Sequence, residues 1–410
     1  MTRFPEPRKR ARHHVKLLIA IPALNEESSI ASIIERCLAA ASGITAATAV
    51  TDVEVTVVSD GSTDRTVEIA SCYRDRIQLI VFEQNRGYGA AIKEAWRQSD
   101  AELLAFIDAD GTCDPNFFVP LCNAVLDEGV AVALGCRCNP ESEMPRLRRV
   151  GNTLFAVLLR ALSSRKVRDT ASGMRVVRRD ALPQLYPLPD GLHFTPAMSA
   201  RVLLSSDLRL TEIDMPYHER EGESKLHVGK DGLRFLHVIL KTALLFRPSR
   251  VLGIAALPFL AAGIGLLVLP TVDWLTDGAW PEGVRGAQVA AGGVLLTAAA
   301  LLLCAGYLAG RIVELVLQVS TGGRSHHFLQ RVIGARWFWI IPTALLLVGI
   351  ACGVVGELSE GEGRGLFTMV ALGAAAVLAG VTRILDRFID VVAEHLRYQR
   401  EEAPLVLVHE

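Results

Sequence analysis

Apolar residues occur in five short runs between residues 16 and 137, and segments with helical periodicity separate these runs. Several of the runs are continuous, without alternating polar positions, which is typical of strands buried on both faces of a sheet. Strands that alternate with helices favour right-handed crossovers and a doubly wound, mostly parallel α/β sheet. We predict strands at residues 16–22, 54–60, 77–83, 102–108 and 130–135.

Polar residues follow these predicted strands at their carboxyl ends, the edge at which doubly wound sheets bind ligands. Asp108 and Asp110 come at the end of the fourth strand, and alternate residues of an extended chain project to the same side. Two carboxylates on one side suit Mg²⁺ or Mn²⁺ shared with a diphosphate. The other polar positions at this edge are Asn25, Glu26, Asp60 and residues 85–89.

A glycine-containing loop lies between the third predicted strand and the next helix. Ile92 stands where the dinucleotide fingerprint GxGxxG requires its last glycine, which disfavours a nicotinamide-dependent oxidoreductase. Gly87 and Gly89 still let the backbone approach a ligand closely, and Arg86 can reach a phosphate. Upstream of this loop, Asn25 is predicted to cap the first helix.

Four stretches late in the chain contain no charged residue and are close to the length of about 20 residues that a membrane-spanning helix needs. The segments that connect them alternate in charge, with arginines concentrated in the middle one. Under the positive-inside rule, the chain before the first stretch and the C-terminal tail are cytoplasmic. The predicted spans are residues 251–270, 286–310, 337–356 and 366–382.

The segment just before the first predicted span, residues 228–250, is amphipathic. Basic residues share one helical face and leucines lie mostly on the opposite face, as in a helix that rests in the lipid interface. The same pattern fits an amphipathic helix packed on its own domain, and the sequence leaves both interpretations open. The basic residues are Lys230, Arg234, His237 and Lys241.

The composition argues against a nucleic-acid-binding protein, a zinc protein and a disulfide-rich protein. The 410 residues, with 50% hydrophobic content, have room for more than one domain, and a net charge of -1 lacks the basic footprint of a nucleic-acid-binding protein. Eight cysteines without CxxC spacing indicate neither a zinc site nor a disulfide framework. We predict a disordered basic arm (1–15), an α/β domain (16–227), an amphipathic juxtamembrane helix (228–250), an all-α transmembrane domain (251–384) and a cytoplasmic tail (385–410).

Seven motifs occur in order between residues 18 and 226. They are Ile21-Pro22-Ala23-Leu24-Asn25-Glu26, Val58-Ser59-Asp60-Gly61-Ser62-Thr63-Asp64, Asn85-Arg86-Gly87-Tyr88-Gly89-Ala90, Asp108-Ala109-Asp110-Gly111, Gly135-Cys136-Arg137, Asp169-Thr170-Ala171-Ser172-Gly173-Met174-Arg175 and Arg220-Glu221-Gly222-Glu223-Ser224-Lys225-Leu226. Together they resemble family 2 glycosyltransferases, in particular the branch of dolichyl-phosphate mannose synthase and bacterial polyprenyl-phosphate glycosyltransferases. The resemblance implies a GT-A fold, a nucleotide-diphosphate sugar as donor, a divalent metal and inversion at the anomeric carbon.

The resemblance also implies roles for residues of the first half of the domain. Asp108 would contact the nucleotide, and Asp110 would ligate the Mg²⁺ or Mn²⁺ that bridges the diphosphate. Relatives in this branch often carry a metal-binding Gln where this chain has Thr112, so a hydroxyl or a water would replace it as the third ligand. The substrate-binding residues implied here are Pro22, Ala23, Asn25, Glu26, Asp60, Arg86 and Gly87.

In the second half, Arg220 and Lys225 match basic positions that the family places near the donor phosphates. Arg137, together with Arg149 or its neighbour Arg148, matches positions associated with the acceptor phosphate. Asp169 is a candidate base or orienting group, and with Asp108, Asp110 and Arg220 it completes the implied catalytic set. Arg175 and Ser224 are the further substrate-binding residues that the motifs imply.

A lipid phosphate is already an anion, so its attack on a sugar needs positioning and charge neutralisation more than a strong base. We therefore expect an inverting hexosyltransferase of the inner or plasma membrane, with a UDP- or GDP-linked donor, a polyprenyl phosphate acceptor and a homo-oligomeric state left open. A processive polysaccharide synthase is one alternative, although Ile333 stands where such enzymes usually carry the Gln of Gln-x-x-Arg-Trp. A non-catalytic membrane scaffold with a degenerate transferase domain is the other.

Overall fold

The computed structural model describes residues 14–163, 165–205, 207–218, 228–277 and 283–317, together with 391, 392, 394 and 395. Two compact units divide the described residues: one lies within 14–203 and 207–239, and the other lies within 204–205 and 240–395. The predicted basic arm up to residue 13, the third and fourth predicted spans and nearly all of the predicted tail lie outside the described residues.

A seven-stranded sheet in the order β3-β2-β1-β4-β6-β5-β7 forms the centre of the first unit. β6 is antiparallel to both of its neighbours, and the other pairings are parallel. The predicted doubly wound, mostly parallel sheet is therefore confirmed, and each of the five predicted strands is present. The strands are β1 (Lys16–Ala23), β2 (Asp52–Asp60), β3 (Gln78–Phe82), β4 (Leu103–Ile107), β5 (Val132–Cys136), β6 (Met174–Arg178) and β7 (Leu210–Asp214).

Helices connect the strands and continue into the second unit. α8 ends at Phe246 and α9 begins at Pro248, because proline fits the first turn of a helix and disfavours helical backbone at the residue before it. The predicted helix 228–250 is therefore shorter than expected. The described helices are α1 (Ile30–Ala47), α2 (Thr66–Ser71), α3 (Tyr88–Gln98), α4 (Phe118–Asp127), α5 (Arg146–Ser163), α6 (Leu182–Leu185), α7 (Phe194–Leu204), α8 (Val228–Phe246), α9 (Pro248–Asp277) and α10 (Gly283–Leu317).

Both faces of the sheet are buried, as the apolar strand runs predict. Leu17 and Ile19 point into a core shared with α1 and α4, whereas Leu18 and Ala20 point into the opposite core shared with α3 and α7. α1 is long and apolar enough to be a candidate membrane span, but its face from Ile30 to Ile44 is buried in the first of these cores. It is therefore a helix of the α/β layer.

The prediction that Asn25 caps the first helix is wrong. Ser29 is the N-cap residue of α1, and Asn25 has φ 51°, a left-handed conformation that a short polar side chain tolerates. The Asn25 side-chain oxygen accepts a hydrogen bond from the Thr63 backbone N–H at 2.7 Å. Asn25 thus joins the loop after β1 to the loop after β2.

The second unit contains α9 and α10, which include the first two predicted spans. Both are candidate membrane spans by length and composition, over Pro248–Asp273 and Gly283–Gly310. Leu252 and Ala256 of α9 pack in one apolar cluster with residues of α10. A side chain at Gly263 would meet the Gly292 carbonyl, and a side chain at Gly292 would meet the Gly263 carbonyl, so small residues permit this close helix contact.

Candidate active site

A cavity of about 510 Å³ opens at the carboxyl ends of the parallel strands. This volume is within the ordinary range for small-molecule sites. Part of its wall comes from residues that end or directly follow five strands, where the sequence predicts the site. These residues are Pro22 and Ala23 at the end of β1 with Leu24 after it, Asp60 at the end of β2, Asn85 and Gly87 after β3, Asp108, Ala109 and Asp110 after β4, and Arg137 after β5.

Asp108 is held from two sides at the end of β4. The Tyr88 hydroxyl donates a hydrogen bond to Asp108 Oδ1 at 2.7 Å, and the Asp108 backbone N–H donates to the Gly173 carbonyl at 3.2 Å. Any side chain at Gly173 would collide with the Asp108 carboxylate. The pKa of Tyr88 is raised well above its ordinary value by burial and by Asp108, so the hydroxyl stays a donor at neutral pH.

Asp110 lies two residues further on and is 7% exposed. Gly111, with φ 73°, makes the left-handed turn that brings Thr112 back toward it, and the Thr112 hydroxyl donates to Asp110 Oδ1 at 2.7 Å. Thr112 is 1% exposed and lies behind Asp110, outside the cavity lining. Within the described part of the chain, no group of three or more His, Cys, Asp and Glu side chains is arranged as a metal site.

Asp60 fixes the glycine loop that follows β3. Its carboxylate accepts hydrogen bonds from the backbone N–H groups of Arg86, at 2.6 Å, and Gly87, at 2.9 Å. Gly87 has φ 110°, and an added side chain there would collide with the Asp190 carbonyl. The Arg86 guanidinium lies over the Phe82 ring at 4.5 Å, so this side chain packs beside β3. The structure thus gives Asp60 a loop-positioning role in addition to its place in the cavity wall.

Arg137 and Asp169 form a buried ion pair behind the cavity. Arg137 Nε and Nη2 donate to the two carboxylate oxygens at 2.8 and 2.9 Å, and the Arg137 backbone N–H donates at 3.0 Å. Burial alone would raise the pKa of Asp169, but Arg137 outweighs it and the pKa is lowered. The Asn152 side-chain amide and the Ala171 backbone N–H also donate to this carboxylate. An ionised carboxylate that accepts five hydrogen bonds is suited to orienting Arg137, and it is a poor proton acceptor.

Arg175 holds the loop between Asp169 and β6. Its side chain is 0% exposed and donates to the carbonyls of Thr170, at 2.9 Å, and Ser172, at 3.1 Å. Burial lowers the pKa of Arg175 to about 10. Arg175 therefore shapes the wall that carries Gly173 and does not itself line the cavity.

Comparison with known proteins identifies the family. The family model described as "Glycosyl transferase family 2" matches residues 18–186. A dolichyl-phosphate hexose transferase of Haloferax volcanii is 33% identical over 232 residues, which are 56% of this chain and 94% of that protein. The chain belongs to glycosyl transferase family 2.

Two further relatives extend the similarity beyond the family model. The low-salt glycan biosynthesis hexosyltransferase of Haloferax volcanii is 32% identical over 70% of this glycosyltransferase, which spans 66% of that protein's length. The undecaprenyl-phosphate 4-deoxy-4-formamido-L-arabinose transferase of Photorhabdus laumondii is 28% identical over 78% of this chain and 94% of its own. α9 and α10 are long and apolar enough to cross a membrane, which indicates that the glycosyltransferase is a membrane protein.

The structure brings together eight of the 14 sequence-predicted site residues that lie in the described part of the glycosyltransferase. Pro22, Ala23, Glu26, Asp60, Gly87, Asp108, Asp110 and Arg137 line the cavity. Asn25, Arg86, Thr112, Arg149, Asp169 and Arg175 lie outside the lining, where hydrogen bonds or packing hold them on neighbouring loops and helices. Arg220, Ser224 and Lys225 lie outside the described residues.

Several lining residues were not predicted as site residues. Tyr88 and Arg234 are the most informative, because each makes a hydrogen bond to a carboxylate at or beside the cavity. Tyr88 was inside a recognised motif, whereas Arg234 was assigned to the basic face of a lipid-interface helix. Tyr217 lines the cavity beneath Arg137, whose guanidinium lies 5.6 Å from the Tyr217 ring centroid.

Tyr88→Phe is expected to lower kcat/KM of the glycosyltransferase by about tenfold to a hundredfold, because it removes the hydrogen bond that the Tyr88 hydroxyl donates to the charged Asp108 carboxylate. The ring would keep its packing against Phe106 and Phe194, both at 6.4 Å, so folding should change little. Steady-state kinetics with a metal titration measure the effect.

Tyr73→Phe is the matched control, since the Tyr73 hydroxyl also donates to a carboxylate, Glu35, at 2.8 Å but at the exposed surface. Equal activity of the Tyr88→Phe variant and the wild type, or an equal loss in the control, would contradict the positioning role of Tyr88.

Proposed function

We propose that this glycosyltransferase moves a hexose from a UDP- or GDP-linked sugar to a polyprenyl phosphate, with inversion at the anomeric carbon. The observation that carries the proposal is the charge distribution of one cavity. Four carboxylates, of Glu26, Asp60, Asp108 and Asp110, and three arginines, Arg137, Arg148 and Arg234, line the same cavity. A metal-bound diphosphate and a lipid phosphate are the two anionic groups that such a cavity can bind side by side.

The carboxylates near the predicted donor site suit a divalent cation whose remaining ligands are substrate phosphates and water. Asp108 and Asp110 line the cavity together, and Thr112 orients Asp110. Mg²⁺ in phosphate sites is typically bound by one or two carboxylates and completed by substrate phosphates and water. When bound, Mg²⁺ or Mn²⁺ would neutralise charge on the departing diphosphate. Glu26 and Asp60, which also line the cavity, would contact the nucleoside.

The reaction with the acceptor needs no strong base. A phosphate oxygen of the acceptor forms the new bond to the anomeric carbon while the bond from that carbon to the diphosphate oxygen breaks and the nucleoside diphosphate leaves with the electron pair. Arg137, oriented by Asp169, would position the incoming phosphate. Arg220 and Lys225 are proposed near the donor phosphates on the family resemblance, with Ser224 between them in sequence.

An apolar surface on the first unit supports a lipid acceptor. α5 lines the cavity with Leu147 and Phe155, and its apolar side chains at Leu147, Val150, Leu154 and Val157 are 64%, 58%, 65% and 60% exposed. Exposed apolar stripes of this size mark interaction surfaces, and lipid is the expected partner for an amphipathic helix with basic residues beside the stripe. We propose that this unit is cytoplasmic and lies at the inner or plasma membrane.

A screen of radiolabelled UDP- and GDP-hexoses with a short polyprenyl phosphate tests the proposal on the full-length protein in detergent. We expect one donor to yield a lipid-linked monosaccharide, and chelation of Mg²⁺ and Mn²⁺ to stop its formation. A long polymer as product would favour the processive synthase instead. Absence of transfer from every donor in the screen, with the protein folded, would refute the proposal.

A further inference from the structure

Three arginines from different elements line the cavity. Arg137 follows β5, Arg148 lies in the first turn of α5 and Arg234 lies in α8. The lining carboxylates lie on the loop after β1, at the end of β2 and directly after β4. An anion in the cavity can therefore be contacted by guanidinium groups from three separate elements.

Arg137 has few guanidinium N–H donors left to bind a phosphate. Two of its guanidinium nitrogens donate to Asp169, and the side chain is only 13% exposed. A bidentate phosphate contact uses two parallel N–H donors of one guanidinium. Since Asp169 takes the Nε and Nη2 side of Arg137, only the Nη1 side of this guanidinium can contact a phosphate, and a second arginine would strengthen the binding of an incoming phosphate.

Arg234 is a second arginine in the cavity lining, and a buried carboxylate, Asp231, holds it in an ion pair. Arg234 Nη1 donates to Asp231 Oδ1 at 3.0 Å, and the Asp231 side chain is 4% exposed whereas the Arg234 side chain is 53% exposed. A carboxylate is costly to bury unless it is paired, so the position of Asp231 ties the guanidinium to one place. Arginine has five N–H donors in a rigid fork, and the bond to Asp231 leaves others for a ligand.

Apolar side chains line the same cavity as this guanidinium. Phe235, the next residue, packs against Phe155 of α5 with the rings tilted by 58° and their centroids 5.9 Å apart, and both line the cavity. Met144 and Leu147 extend the apolar lining beside them. A cation set among apolar walls fits an amphiphilic anion, whose charged head contacts the guanidinium while its hydrocarbon chain contacts the aromatic rings.

We infer that Arg234, anchored by Asp231, is an additional binding residue for the phosphate of the prenyl acceptor. This inference rests on the proposed function, because it assigns Arg234 to acceptor binding in the same site. It gives α8 a part in substrate binding that the basic-face interpretation of its sequence did not include. The phosphate then lies between Arg234 and Arg137, with its chain along Phe155 and Phe235.

The test compares Arg234→Gln, Arg234→Lys and Lys230→Gln in the full-length protein. Lys230 is one turn earlier on α8, exposed and outside the cavity lining, so its variant removes the same charge from the same helix. We expect Arg234→Gln to raise the KM for a short polyprenyl phosphate about tenfold or more and to leave the KM for the nucleotide sugar unchanged. Arg234→Lys should fall between that variant and the wild type, and Lys230→Gln should match the wild type.

An acceptor KM within about twofold of wild type in Arg234→Gln, an equal rise in Lys230→Gln, or a rise in the donor KM instead would overturn the inference. Thermal unfolding of each variant in the same detergent identifies a variant that fails to fold, and the conservative Arg234→Lys variant then decides the result from its acceptor KM.

Direct binding separates this inference from the proposed function. Geranylgeranyl phosphate in detergent serves as the probe, and calorimetry gives its affinity without any sugar donor. Weaker binding to Arg234→Gln than to the wild type supports the inference even if the donor screen fails. Productive transfer with unchanged probe affinity in Arg234→Gln refutes the inference alone, and no probe binding to the wild type refutes both.

Discussion

Replacing Asp110 with alanine is expected to lower sugar transfer by about a thousandfold or more. Asp110 lines the cavity, and we propose that its carboxylate holds a divalent cation against the donor diphosphate. Metal stabilisation of developing charge contributes several kcal/mol, and about 4 kcal/mol corresponds to a thousandfold in rate. Initial rates at saturating Mg²⁺ or Mn²⁺ measure the loss.

Asp75→Ala is the control for the loss of one acidic side chain, because Asp75 is exposed and outside the cavity lining. Asp110→Asn adds a stricter comparison, since it keeps the size of the side chain and an acceptor for the Thr112 hydroxyl but removes the charge. Retention of more than about a tenth of wild-type activity in Asp110→Ala would show that the site works without this carboxylate.

Asp169→Asn is expected to destabilise the first unit by about 3–5 kcal/mol, because it leaves the buried Arg137 guanidinium without its counter-charge. The amide of asparagine would also direct N–H donors toward the N–H donors of Arg137. Chemical denaturation of the full-length protein in detergent, followed by tryptophan fluorescence, measures the change.

Asp214→Asn is the matched control, since Asp214 pairs with Arg168 at 2.6 Å but is 54% exposed. Exposed pairs contribute about 0–1 kcal/mol, so this variant should stay close to the wild type. A similar small effect for both variants would contradict a structural role of the Asp169 pair.

The contribution of the Asp169–Arg137 ion pair to folding stability is lost at acidic pH. The folded pKa of Asp169 is lowered relative to its unfolded value of about 3.9, so its contribution is fully present above that value. The contribution is lost as the pH falls through the folded pKa. The stability difference between wild type and Asp169→Asn should therefore be constant above about pH 5 and shrink only in more acidic solution.

The sequence was most informative where strands are buried on both faces. β1 and β4 are continuous apolar runs followed by polar residues, so both the strands and the ligand-binding edge could be predicted. β6 and β7 were missed because Met174–Arg178 and Leu210–Asp214 are short and half polar. Their pairing depends on neighbours distant in sequence.

The partners of the site residues could not be read from the sequence. Tyr88 and Asp108 are 20 residues apart, and Arg137 and Asp169 are 32 apart, so only the fold brings each pair together. Arg234 was assigned to a lipid-facing surface because periodicity reports which residues share a helical face and not what each face contacts. The burial of Asp231 and Phe235 reflects tertiary packing of the start of α8.

Binding of Mn²⁺ in the presence of UDP or GDP, followed by electron paramagnetic resonance, tests the central claim most directly because it requires neither the sugar nor the acceptor. We expect the wild type to bind one Mn²⁺ per chain when one of these nucleotides is present, and Asp110→Ala to leave the metal free in solution. Equal Mn²⁺ binding by wild type and Asp110→Ala, or no binding by the wild type with either nucleotide, would contradict the assignment of the donor site.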